Sequence, residues 1–135
     1  MNDGRPIVPD LTTLTCLVVD DSSTFFEAAR QVLTDDAVTV VGLAGTSDEA
    51  VAAAAALEPD VVLVDMNLGA ESGLDVAARL AELPRGGPPI ILLSMETGGE
   101  LAELVDASHA LGYLTKADLS GDAIRELLVR AEPGS

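Results

Sequence analysis

Three runs in the chain, CLVV at 16–19, VVLV at 61–64 and IILL at 90–93, are apolar at every position. A strand with one wet face alternates apolar and polar residues. Unbroken runs of Val, Ile and Leu therefore require burial on both faces, as in a parallel sheet covered by helices. Two further stretches, 38–43 and 113–114 with its flanks, bring the predicted strands to five. Asp, Ser or Gly interrupts every run well short of the roughly 20 residues that a bilayer demands.

Helical patterns fill the gaps. Thr24 and Glu27 have the spacing of a capping box and open a pattern with apolar Phe25, Ala29, Val32 and Leu33. Thr46 and Glu49 repeat that spacing before an alanine-rich segment that Pro59 ends. A third helix starts near Ser72 or Gly73, carries Leu74, Ala77 and Leu80, and stops before PRGGPP at 84–89. The fourth follows Gly98 and Gly99, with Leu101, Leu104, Val105 and Ser108 on one face. Ser120 caps the fifth, and Leu119 and Ile124 are spaced for a hydrophobic staple. Five strands alternating with five helices predict an α/β fold, a doubly wound five-stranded parallel sheet joined by right-handed crossovers. Pattern alone does not set the strand order, but such sheets bind ligands beyond the carboxyl ends of their strands, where the winding reverses.

The residues at those ends carry the chemistry. Asp20 and Asp21 follow the first strand, Asp65 the third, Ser94 the fourth and Lys116 the fifth. If the strands are neighbours, three carboxylates, a hydroxyl and the only lysine of the chain meet in one crevice. Three carboxylates that close do not all stay ionised at pH 7 without compensation. Lys116 supplies one positive charge, and the remaining excess suits a hard divalent cation with oxygen ligands, which favours magnesium. Each residue also has a plainer role: Asp20 and Asp21 at the positive end of the first helix, Asp65 capping its loop, Ser94 bonding a loop amide, Lys116 solvated. Those roles leave the common position of all five at strand ends unexplained.

Composition narrows the classes. At 135 residues the chain has the length of one domain. A net charge of −16, from 23 acids against 7 bases, disfavours direct binding of nucleic acid. Residues 1–13 lack the apolar core of a signal peptide and read as a tail, as do 132–135, and the expected compartment is the cytoplasm. Cys16 reads as a small buried thiol and His109 as a surface residue.

The segments "VVDDS", "VLVDMNL", "ILLSME" and "GYLTKADLS" resemble, over residues 14–131, the receiver domain of bacterial two-component response regulators. The resemblance implies a flavodoxin-like fold and a phosphorylatable signalling switch. Asp65 would take a phosphoryl group from the phosphohistidine of a sensor histidine kinase or phosphotransfer protein. Asp21 would bind magnesium directly and Asp20 through water, with Asp65 and the backbone carbonyl of Asn67 completing the protein ligands. Lys116 would pair with the phosphoryl group, Ser94 would move to bond it, and Tyr113 would turn into the vacated space. That motion would rearrange the face of the fourth helix, fifth strand and fifth helix, where a downstream protein, a missing output domain or a second copy of the chain reads the state.

Four positions depart from the usual receiver pattern. Ala117 follows Lys116 where proline with a cis bond is common, and a trans bond is expected. Met95 follows Ser94 where small residues are common, so phosphoryl exchange with water is expected to be slow. Gly69 replaces a frequent proline in the acceptor loop, and Ser94 lacks the methyl of threonine. Two other functions compete: a receiver-shaped module that works through protein contacts without phosphorylation, and a flavin carrier or enzyme on the same fold. For the latter, "SMETGGE" follows the wrong strand for a phosphate loop, and Asn67 stands where a dehalogenase-type phosphohydrolase needs a second acid.

Overall fold

The computed structural model describes residues 14–68, 71–95 and 110–130. In chain order these form β1 (Leu14–Val19), α1 (Ser23–Asp35), β2 (Val38–Ala44), α2 (Ser47–Leu57) and β3 (Val61–Asp65). A two-strand hairpin of β4 (Asn67–Leu68) and β5 (Glu71–Ser72) follows, then α3 (Gly73–Leu80), β6 (Ile90–Ser94), β7 (Gly112–Thr115) and α4 (Gly121–Arg130). All five predicted strands are present. The helix predicted after Gly98 and Gly99, together with Gly69, His109 and both tails, lies outside the described residues.

The large sheet has the order β2-β1-β3-β6-β7, with every neighbouring pair parallel. The chain winds outward from β1 to β2, returns to β3 on the other side of β1, and then continues one way. Winding therefore reverses between β1 and β3. Register aligns their ends, since Val19 pairs with Val64 and Asp20 and Asp65 come next on adjacent strands.

Alternation along the strands divides the core. Leu17, Val19, Val62, Val64, Ile90 and Leu92 face Ala50 and Ala54 of α2 and Val76, Ala77 and Leu80 of α3. Cys16, Val18, Val61, Leu63, Ile91 and Leu93 face Ala29 and Leu33 of α1 and Ile124 of α4. Both faces are covered, as the unbroken apolar runs require. Each fully buried Leu or Ile contributes about 1.5–3 kcal/mol of burial. Burial also pushes the Cys16 thiol up to about 12, so it stays protonated and inert as predicted.

Three of the four described helix starts follow the sequence reading. Thr46 Oγ1 accepts the Glu49 N–H, Ser72 Oγ accepts the Leu74 N–H and Ser120 Oγ accepts the Ala123 N–H. Leu119 and Ile124 join one apolar cluster, consistent with the predicted staple. The capping box at Thr24 and Glu27 is corrected: the cap of α1 is Ser22, whose Oγ accepts the Phe25 N–H at 3.2 Å. Ser22 wins because Asp20 Oδ1 holds its backbone N–H at 2.8 Å and so fixes the entry to the helix two residues early. Thr24 already lies inside the first turn.

Candidate functional site

The site is built at the carboxyl ends of four adjacent strands. Asp20 and Asp21 leave β1 and Asp65 ends β3. Ser94 ends β6 in register with Thr115, so Lys116 is the next residue beyond β7. The Met66 N–H donates to the Leu93 carbonyl, which ties the exit of β3 to the end of β6. Crossover geometry thus brings residues 20, 65, 94 and 116 to one edge, as predicted.

Asp20 is fully buried, with one close contact at each oxygen. Oδ1 accepts the Ser22 N–H, and Oδ2 faces Lys116 Nζ at 2.8 Å. That second contact is an ion pair whose direction makes no hydrogen bond, so Oδ2 is a buried oxygen with an unfilled acceptor position. Lys116 Nζ also donates to Asp65 Oδ2 at 3.4 Å. The lysine side chain is only 14% exposed, which excludes a solvated surface charge. Asp65 Oδ1 accepts the Asn67 N–H at 3.1 Å, so the acid does cap its own loop while facing the crevice. Asp21 is exposed and makes no hydrogen bond or ion pair among the described residues.

Charge follows from these contacts. Burial, and after it the nearby Asp20, outweighs the Asn67 N–H and Lys116, so the Asp65 pKa lies above the usual aspartate value. Burial opposes the Lys116 charge, but Asp20 and Asp65 outweigh it and hold its pKa above the usual lysine value. Among the described residues, Asp20, Asp21 and Asp65 each offer one carboxylate oxygen, all within 4.8 Å of one another. Three carboxylate oxygens this close together form a hard donor set that fits a small divalent cation.

The remaining predicted residues surround this centre. Ser94 is half-buried at the end of β6. Tyr113, three residues before Lys116, pairs in register with Leu92 and packs against the apolar cluster beneath α2 and α3. Met95 is 75% exposed and lines a groove with Phe25, Val32, Lys116 and Ala117. The Lys116–Ala117 bond is trans, as no cis peptide occurs among the described residues.

Two features escaped the sequence reading. Phe25, taken as one apolar position of α1, presents its ring to Lys116 Nζ, 4.4 Å from the ring centroid. Its signal was faint: the only two phenylalanines of the chain adjoin each other four and five residues after the acid pair. The second is an anchor for the loop that follows Asp65. Glu71 accepts the Ser47 N–H at 2.8 Å and the Ser47 hydroxyl at 2.5 Å, while Arg79 Nη1 donates to Ser47 Oγ and to Asp48 Oδ1. Gly73 completes the anchor, since a Cβ there would stand 2.4 Å from the Asp65 carbonyl oxygen.

A family model for the response regulator receiver domain matches residues 16–128. The nitrate/nitrite response regulator protein NarP of Escherichia coli is 32% identical over 129 residues, covering 95% of this chain and 59% of NarP. The transcriptional regulatory protein PdtaR of Mycobacterium tuberculosis is 28% identical over 108 residues, 80% of this chain and 52% of that protein. Among solved structures, a LuxR-family two-component response regulator from Aurantimonas sp. superposes with a TM-score of 0.77 at 25% identity, covering 87% of this chain and 86% of that one. The chain belongs to the response regulator receiver family, whose general function is phosphorylation-dependent signalling in two-component systems. It spans little more than half the length of NarP and PdtaR. No helix among the described residues is long and apolar enough to cross a membrane.

The Ser47 contacts hold the Glu71 carboxylate below its ordinary value of 4.5. A depressed carboxylate stabilises the fold above its unfolded pKa and loses that contribution as pH falls through the folded value. Thermal melts from pH 3 to 7 should therefore show the parent above Glu71→Gln near neutrality. The gap should close progressively as pH falls below 4.5 and through the folded value.

Proposed function

We propose that Asp65 is the phosphoryl acceptor, within a receiver unit spanning residues 14–131. The observation that carries this reading is the Lys116 ammonium held between Asp20 and Asp65 at the point where the sheet winding reverses. In transfer from a phosphohistidine, an Asp65 oxygen forms the new O–P bond as the P–N bond breaks, and the electron pair leaves on the imidazole nitrogen. The Asn67 N–H orients the Asp65 carboxylate for that attack. Lys116 is already within reach of an Asp65 oxygen, so it meets the developing phosphoryl charge with little rearrangement.

Asp20, Asp21 and Asp65, with the backbone carbonyl of Asn67, would hold magnesium, which when bound neutralises charge on the phosphoryl oxygens. Asp20 already serves Ser22 and Lys116, whereas the exposed Asp21 has no competing partner among the described residues, which supports Asp21 as the direct ligand and Asp20 as the water-mediated one. Ser94 bonds a phosphoryl oxygen, and Tyr113 follows it inward to alter the face that includes β7 and α4. Exposed Met95 stands over the approach and slows loss of the phosphoryl group to water. The donor is a sensor histidine kinase or phosphotransfer protein. The reader is a downstream protein, an output domain or a second copy of the chain, and the compartment is the cytoplasm.

Incubation with magnesium and a small acyl phosphate, followed by intact mass and peptide mapping, tests the acceptor. One phosphoryl group on Asp65, absent from Asp65→Ala, is expected. No adduct from either the small donor or a cognate kinase would favour a module that works through protein contacts alone. For the cation, Asp21→Asn should weaken magnesium binding by roughly tenfold or more and Asp20→Asn by less. Equal losses in a titration would mean that the pair acts only as a shared negative field.

A further inference from the structure

Two carboxylates alone do not fix an ammonium. Lys116 reaches the site on a flexible four-carbon stem, and Asp20 Oδ2 at 2.8 Å holds it more closely than Asp65 Oδ2 at 3.4 Å. Left to charge alone, the ammonium would settle on Asp20 and away from the acceptor. A third group stands at the nitrogen: the Phe25 ring, with its centroid 4.4 Å from Nζ, inside the range where the negative face of an aromatic ring attracts a cation.

The ring is itself held in place. Phe25 sits in the first turn of α1, where its N–H donates to Ser22 Oγ at 3.2 Å, and the Ser22 N–H donates to Asp20 Oδ1 at 2.8 Å. Asp20 Oδ2 pairs with Lys116, and Lys116 meets the Phe25 ring, so the four residues form a closed circuit. Neighbouring Phe26 packs against the same apolar cluster without this contact to the ammonium. The ring and Lys116 both border the groove of about 510 Å³ that Val32, Met95 and Ala117 also line.

Resting on the reading of Asp65 as acceptor, we propose that Phe25 is a positioning residue for the phosphoryl transfer, its ring face holding the Lys116 ammonium in front of Asp65. Phe25 touches neither Asp65 nor the donor in this role and acts through the lysine.

The test replaces Phe25 in the full chain by mono-, di- and trifluorophenylalanine, which drain the ring face of negative charge with little change of shape. Phosphorylation of Asp65 by acetyl phosphate with magnesium is followed by intact mass over a range of donor concentrations. The maximal rate should fall stepwise with fluorination, by roughly threefold to tenfold in all, with the half-saturating donor concentration unchanged. Phe25→Trp should retain the rate and Phe25→Leu should lose it. In Lys116→Met the fluorinated series should be flat. A flat series in the parent, or an equal fall in Lys116→Met, would reduce Phe25 to packing and overturn the inference. A parent chain that takes no phosphoryl group overturns the acceptor reading itself, an outcome distinct from a phosphorylated parent indifferent to its ring.

Discussion

The carboxyl end of this sheet depends on one ammonium between two buried carboxylates. Parallel strands in register force the residues after Val19 and Val64 side by side, and both are aspartates. A fully buried Asp20 beside a nearly buried Asp65 is tenable because β7 delivers Lys116 to the same edge. The lysine offsets repulsion without removing it, since Asp65 remains harder to ionise than a free aspartate. Three acids around one base leave a net negative crevice, and a receiver domain needs such a crevice when a cation and a phosphoryl group must meet there.

Much of this was legible because it rests on short-range signals. The runs at 16–19, 61–64 and 90–93 announced a sheet buried on both faces, and the residue types after each run announced the site. Side-by-side placement of Asp20 and Asp65 was not legible, since it depends on strand order and register, which sequence periodicity does not encode. Thr24 misled because Ser, Ser and Thr stand in a row at 22–24, and any of them can cap a helix. The choice of Ser22 was made by Asp20, whose buried carboxylate holds the Ser22 N–H.

The loop after Asp65 shows a second kind of hidden order. Its sequence lacks the usual proline, yet Asn67 pairs with Ser72 and Leu68 with Glu71, and Glu71 is fastened to the first residue of α2. These partners lie 24 residues apart, beyond any local pattern. Asp65 is thereby framed by α2, α3 and its own loop, while Lys116, Phe25 and Ser22 frame the opposite side. Rigid support on both sides suits a site whose chemistry is positioning and electrostatics.

Lys116 has the role of making the convergence of buried acids tenable. Its most direct measurement is the urea unfolding free energy of Lys116→Met against the parent, in buffer free of divalent cations. A loss of about 3 kcal/mol or more is expected, the scale of stripping a buried charge of its partner, with most of it recovered in Lys116→Met combined with Asp20→Asn. Stability in Lys116→Met equal to that of the parent would contradict that role.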